Sequence, residues 1–212
     1  CQAILLGILQ GLTEFLPISS SGHLVISQKL LGLTQPPVLF DILVHCGTLL
    51  AIIFYFNKRI VSFYKSFNNL KLIFIGSLPA ALAGFFLSDY LKTLFNSLFL
   101  VGFCLLITAG LLFSSKLVKK KNKGFSQLKQ PDSLIIGLLQ ALALLPGVSR
   151  SGSTIVTGLW RGLKKETAFL FSFYLGVPAM IGALILQIPD FLDNGDQFSM
   201  GLVGLITAAF FG

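Results

Sequence analysis

Ile4–Gly22 reads ILLGILQGLTEFLPISSSG, and Leu134–Gly152 reads LIIGLLQALALLPGVSRSG. The two stretches lie 130 positions apart and match residue for residue at Gly7 and Gly137, Gln10 and Gln140, and Leu12 and Leu142. The match resumes at Ser19, Ser21 and Gly22 against Ser149, Ser151 and Gly152. Pro17 and Pro146 precede the two serine clusters, one place out of register. Each copy is an apolar run broken by proline and followed by small hydroxyl residues. In a membrane protein, paired interruptions of this kind in corresponding halves point to the binding site.

Composition makes the membrane assignment. Apolar residues are 54% of the chain and charged residues 11%, with a mean hydropathy of +0.85, whereas soluble domains carry about a quarter charged residues. Four apolar runs, Val38–Phe56, Leu72–Leu87, Leu94–Phe113 and Ala168–Ile188, approach the roughly 20 residues that a bilayer core requires. A fifth run covers Phe198–Phe211. The chain starts at Cys1 and stops at Gly212, both inside apolar runs and without an initiator Met, so a chain truncated at both ends is expected.

The net charge of +8 does not indicate nucleic-acid binding. Ten of the sixteen cations fall in Asn57–Lys71 and Lys116–Lys129, the pattern of cytoplasmic loops. Cys1, Cys46 and Cys104 have no metal-binding or disulfide spacing and are expected to pack as small apolar residues.

Placing the cationic loops in the cytoplasm orients the chain. Val38–Phe56 runs inward, Leu72–Leu87 outward and Leu94–Phe113 inward, with an outer connector at Asp89–Lys92. Ser133–Trp160 leaves the cytoplasm and must return to it, because Arg161, Lys164 and Lys165 follow. It is therefore expected to be re-entrant, bending at Pro146–Ser153. Ala168–Ile188 then crosses to an outer acidic loop, Asp190, Asp193 and Asp196. By the same reasoning Cys1–Leu33 enters and leaves from the outside. The expected fold is an all-α polytopic membrane protein, one transmembrane domain over 1–212. It is built from inverted-topology repeats, 1–113 and an incomplete 133–212, with two re-entrant helix-loop-helix segments. Irregular backbone at membrane depth must be buried in protein or line a wet cavity, so the two bends should face each other near the midplane.

Ionisable residues within such segments are costly, about 2.5–3.5 kcal/mol each on insertion scales, and mark function by default. Here they are Glu14, His23, Asp41, His45 and Arg150. The second bend combines Ser149, Arg150, Ser151, Gly152 and Thr154 at a helix start, where N–H groups and the dipole favour an anion. Arg150 adds a permanently charged fork matched to phosphate oxygens; the competing reading is a Gly/Ser hinge whose arginine snorkels to the surface. Gln10 and Glu14, four residues apart, share a helix face and can present oxygens to Mg²⁺. His23 suits an acid, base or nucleophile, and a neighbouring serine an activated nucleophile; alternatively Glu14 and His23 cap a helix. Asp41 and His45 either form a supporting pair that orients the first bend or lie in the headgroup layer. Together these groups suit binding and cleavage of a phosphate ester or anhydride on a lipid tail. The rival class is a transporter or flippase of an anionic polyprenyl lipid, since inverted repeats with broken helices are foremost a transporter architecture.

The segment Gln10…Glu14 running into Pro17–His23, and the nine-residue segment Pro146–Thr154, resemble the two signature motifs of the bacterial undecaprenyl-diphosphate phosphatase family. The stretch Phe40-Asp41…His45-Cys46-Gly47-Thr48 is similar to the family's segment after the first motif. The likeness covers essentially the whole chain and implies that the last quarter or so of a full member is lacking. It implies a multi-pass enzyme of the bacterial plasma membrane that releases inorganic phosphate from undecaprenyl diphosphate on the outer face. That reaction recycles the lipid carrier for peptidoglycan and is the link to bacitracin resistance. It further implies Mg²⁺ or Ca²⁺ as cofactor and a polyprenyl diphosphate lipid as substrate, in contact with membrane lipids, with room for a homodimer and no nucleic acid. By this resemblance the essential glutamate is Glu14, the histidine His23, the phosphate-binding arginine Arg150 and the proposed nucleophile Ser20. Gln10 stands where some members have glutamate, which weakens a two-carboxylate metal scheme. The expected mechanism has Arg150 and the Ser149–Thr154 amides holding the terminal phosphate. Mg²⁺ bridges Glu14 and the diphosphate, and Ser20 attacks with help from His23; His23 itself or a metal-bound water are the other candidates for the attacking group.

Overall fold

A computed structural model of the chain describes residues 1–33, 38–118, 122–186 and 198–212. The acidic loop Asp190, Asp193 and Asp196, and Lys119–Lys121 of the second cationic loop, lie outside the described residues.

Among the described residues the chain is helical: α1 (Gln2–Glu14), α2 (Ser20–Leu30), α3 (Val38–Tyr64), α4 (Phe67–Leu94), α5 (Leu98–Ser114), α6 (Gln130–Leu142), α7 (Arg150–Trp160), α8 (Lys165–Leu186) and α9 (Phe198–Phe211). Two short 3₁₀ turns lie between α5 and α6. Among the described residues four helices, α3, α4, α5 and α8, are long and apolar enough to cross a bilayer. These are the four runs expected from sequence, and the chain is a polytopic membrane protein. Their outward faces carry large apolar side chains, among them Phe54, Phe85, Phe99, Phe103 and Leu106, the inverse of a soluble surface.

Two boundaries differ from expectation. Asn57–Lys71 is not a loop: α3 continues to Tyr64, and α4 begins at Phe67 after a break at Lys65–Ser66. Asp89–Lys92 likewise lies within α4, and the turn falls at Asn96–Ser97, where Ser97 caps α5. Charged residues mark where a helix leaves lipid, but nothing in lysine or aspartate ends the helix itself. Polar side chains bond local backbone at both turns: Asn69 Nδ2 donates to the Phe63 carbonyl at the first (3.0 Å), and Ser97 Oγ accepts from the Leu100 N–H at the second (3.3 Å).

The two repeat copies form helix–bend–helix units, α1–α2 and α6–α7. Their arms are 13 and 11 residues long, about 20 and 16 Å at the helical rise, too short to cross a core of about 30 Å. The fourth helix of each half packs on the other half. α9 lies against α1 and α3, while α4 lies against α6 and α8. Glycines permit this exchange. A Cβ on Gly137 of α6 would collide with the backbone of Gly76 on α4, and one on Gly7 of α1 would lie 2.8 Å from the Gly204 carbonyl of α9. Small residues let helix backbones approach closely where lipid supplies no hydrophobic drive. Ala3, Leu6, Leu24, Phe40, Val44 and Ala208 form one core. Leu72, Ile136, Phe171, Tyr174 and Leu175 belong to the other, and α3 and α8 join the two through Leu49, Ile52, Phe173, Val177 and Met180.

Candidate functional site

The two bends touch. A Cβ on Gly22 would lie 3.0 Å from Gly147 Cα, and one on Gly152 3.1 Å from the Pro17 carbonyl. Ser151 Oγ donates to the Leu16 carbonyl at 3.1 Å. The bends are also built alike. Ser19 and Ser149 each cap the following helix, accepting from the N–H of Gly22 and Gly152 at 3.4 and 3.0 Å. Each of the two also meets the serine two places on, at 3.3 Å in the first bend and 3.2 Å in the second. Serine and glycine recur here because a capping oxygen must reach back to an N–H three residues ahead, and because two bends can meet only without bulk between them.

Arg150 crosses from the second bend to the first. Its Nη2 donates to Glu14 Oε1 at 2.7 Å and lies 3.4 Å from Met180 Sδ. Any side chain at Gly176 of α8 would overlap the guanidinium, so the arginine runs along a bare strip of helix. It does not snorkel. The other oxygen of Glu14, Oε2, accepts from Ser20 Oγ at 2.5 Å and from Gln10 Nε2 at 3.0 Å. Glu14 is therefore not a helix cap but the hub of the site, with 8% of its surface exposed. A carboxylate so deeply placed is stable as an anion only with a paired charge and several donors.

His23 sits one turn into α2, and its Nδ1 lies 2.7 Å from the Ser19 carbonyl. A nitrogen facing a carbonyl carries the proton, so Nδ1–H donates. Ser19 is the one non-glycine residue with positive φ (68°) among the described residues, a conformation costing about 1–2 kcal/mol. The imidazole thus tethers the strained peptide that turns Ser20 towards Glu14. The imidazole that faces Glu14 directly is His45, whose Nε2 is 3.8 Å from Oε2, with Nδ1 bonded to its own helix at the Asp41 carbonyl (2.7 Å). Asp41 and His45 do not pair through their side chains: Asp41 Oδ1 accepts from Gln28 Nε2 of α2 at 2.7 Å. The two residues thus make separate contacts, Asp41 with Gln28 of α2 and His45 with Glu14 of α1.

In the second bend Ser149, Ser151, Ser153 and Thr154 are buried. Thr154 Oγ1 meets Ser172 Oγ of α8 at 2.6 Å. The amide of Ser149 is bonded by Thr108 and that of Gly152 by Ser149. The N–H groups of Arg150 and Ser151 belong to the same first turn of α7, where helix N–H groups have no partner within the helix. Thr108, Met180, Gly176 and Ser172 escaped the sequence reading. Only Thr108 carried a signal, as the sole hydroxyl in the apolar run Leu98–Phe113.

Mg²⁺ or Ca²⁺ can be tested against the donors present. Gln10 Oε1 is a buried oxygen without a protein hydrogen-bond partner, and it lies on the same face as Glu14. One carboxylate and one amide oxygen fit a hard cation that takes its remaining ligands from substrate phosphate. Among the described residues no group of three or more His, Cys, Asp or Glu gathers to form an all-protein cage.

A second polar cluster sits at the other end of α6–α7. Asp132 accepts from Lys123 Nζ, from the Lys129 N–H (2.9 Å) and from Arg161 Nε (2.9 Å). Burial alone would raise its carboxyl; these hydrogen bonds outweigh it and hold Asp132 below the usual carboxylate range.

The family model described as bacitracin resistance protein BacA matches residues 3–212. An undecaprenyl-diphosphatase of Desulforapulum autotrophicum is 40% identical over 231 residues, covering 98% of this chain and 84% of that protein. Undecaprenyl-diphosphatase 4 of Bacillus thuringiensis is 41% identical over 216 residues, covering 100% and 83%. An undecaprenyl-diphosphatase of Halothermothrix orenii is 41% identical over 198 residues, covering 92% and 76%.

Proposed function

The chain belongs to the bacitracin resistance protein BacA family, and from that premise we infer that it hydrolyses undecaprenyl diphosphate to undecaprenyl phosphate and inorganic phosphate. The reaction returns the lipid carrier to cell-wall synthesis. The observation that carries the reading is the junction of the two bends: Arg150 and Ser20 share one buried carboxylate, Glu14, at 2.7 and 2.5 Å. A guanidinium and a helix N-terminus suit a phosphate, and a serine held on a carboxylate suits attack on it.

Arg150 and the N–H groups of Arg150 and Ser151 bind the terminal phosphate and stabilise the charge that develops on its equatorial oxygens. Ser20 Oγ passes its proton to Glu14 Oε2 and forms a bond to the terminal phosphorus. The phosphorus–oxygen bond to undecaprenyl phosphate breaks, and the lipid monophosphate leaves with the electron pair. Water then attacks the serine phosphate, Glu14 returns its proton to the departing Ser20 oxygen, and inorganic phosphate leaves with the hydroxyl and the carboxylate both restored. His23 keeps Ser20 aimed through Ser19. Glu14 and Gln10 would hold a divalent cation, which supplies charge neutralisation of the diphosphate. The polyprenyl tail lies along the apolar outer faces of the helices, among membrane lipids.

On the orientation set by the cationic segments, the enzyme resides in the bacterial plasma membrane. Its two helix–bend–helix units enter from opposite faces, and the site opens to the outer side. A homodimer is compatible with this arrangement. The test is phosphate release from undecaprenyl diphosphate by purified protein in detergent. Release by the wild type, reduced about 10³-fold in Arg150→Ala, supports the reading; lipid movement in vesicles without release refutes it.

A further inference from the structure

The element that pins the second bend is α5, the last helix of the first repeat, which crosses both bends with a single face. Its buried residues are Val101, Cys104 and Thr108, which fall on one helical stripe. Gly22 of the first bend lies under Leu105, and Gly147 of the second lies under the Val101 carbonyl and Cys104. Phe99, Phe103, Leu106 and Ile107 of α5 face outward.

We propose that Thr108 is a positioning residue for phosphate binding, because its hydroxyl fixes the backbone that leads into the α7 N-terminus. Thr108 Oγ1 donates to the Gly147 carbonyl at 2.8 Å and accepts from the Ser149 N–H at 2.9 Å. The hydroxyl thereby closes a bridge over Val148, joining a glycine at φ +99° to the residue that caps α7. Thr108 is 3% exposed, so water cannot replace it. The bridge has two consequences for a ligand. It consumes the Ser149 N–H, so that the anion meets the amides of Arg150 and Ser151. It also sets the direction of the first turn of α7, and with it the root of the Arg150 side chain. Thr108 touches neither substrate nor reacting atoms; it acts through Gly147 and Ser149.

The proposal rests on the phosphatase reading, and its test separates the two. Thr108→Val keeps the shape and removes both hydrogen bonds; Thr108→Ser keeps the hydroxyl. Phosphate release from undecaprenyl diphosphate gives kcat and KM, and binding of a non-hydrolysable methylene-diphosphonate lipid gives Kd in the same preparations. The expected result is a rise of about tenfold in KM and in Kd for the valine variant, equivalent to loss of one to two net hydrogen bonds. The serine variant should stay within about twofold of wild type. Wild-type KM and Kd in Thr108→Val overturn the proposal, as does equal impairment of the valine and serine variants. If Thr108→Val fails to reach the membrane folded, Thr108→Cys carries the same expectation. If the wild type releases no phosphate yet binds the diphosphonate, the phosphatase reading fails and the Kd comparison still decides the role of Thr108.

Discussion

Replacing Arg150 by methionine leaves Glu14 buried with Ser20 and Gln10 as donors but without its permanently charged partner. Glu14 is 8% exposed, and the side chain of Arg150 is 19% exposed, so little solvent screens the loss. Breaking one side of a buried ion pair costs about 3–5 kcal/mol. For a chain of this size each kcal/mol moves Tm by about 2–4 °C, so Arg150→Met should unfold about 6–20 °C lower. Glu14→Gln alone should also destabilise, since it strands the guanidinium against Gly176 and Met180. The double variant leaves neither member of this pair, and its loss should be smaller than the sum of the singles by about 2–3 kcal/mol, within the range of direct contacts. Thermal unfolding of the four proteins in one detergent, followed by near-ultraviolet circular dichroism, completes the cycle. Additive losses, or an unchanged Tm in Arg150→Met, would refute the claim that this pair joins the bends.

Three further outcomes follow from particular contacts. His23→Phe, which removes the donor to the Ser19 carbonyl, should lower kcat by about 10–100-fold, and adding Ser19→Gly should restore part of it, because glycine accepts positive φ without that tether; no recovery would mean that His23 acts on the reacting atoms. Asp132 has a carboxyl pKa lowered on folding, so its stabilisation is complete above its ordinary value near 4 and is lost as pH falls through the lower folded value. Tm between pH 5 and 3 should therefore fall more steeply for wild type than for Asp132→Asn, and parallel curves would contradict the assignment. Gly137→Val, which drives a side chain into the Gly76 backbone, should unfold at least as easily as a poor core substitution, about 3 kcal/mol, whereas Gly102→Val, which meets nothing within 4 Å, should be nearly neutral.

Much of the site was legible because the chain repeats itself. The proline and serine clusters located both bends, and i, i+4 spacing placed Gln10 beside Glu14, a contact that closes at 3.0 Å. The cost of charge in lipid singled out Arg150 before any geometry was known. What escaped were relations between segments that share no pattern. Thr108 is one hydroxyl in a span, and its partners are 39 and 41 residues away. The approach of His45 to Glu14 depends on how α3 packs against α1, which periodicity does not specify. The packing of α4 on α6 and α8, and of α9 on α1 and α3, is likewise not written in any sequence period. Its trace is the pairing of Gly7 with Gly204 and of Gly137 with Gly76, visible only when both helices are placed. Helix ends were misjudged for a different reason: the charges that mark a membrane boundary do not terminate a helix.

In the proposed reaction one site is assembled from both bends, with Ser20 of the first attacking a phosphate held by Arg150 of the second. Its most direct test is a rapid-quench experiment with undecaprenyl diphosphate labelled on the terminal phosphorus, followed by peptide mapping of the protein. Transient label is expected on the peptide bearing Ser20 in the wild type, none in Ser20→Ala, and a rate of labelling reduced about 10³-fold in Arg150→Ala. Label on a different segment, or labelling of Ser20 at the wild-type rate without Arg150, would contradict it.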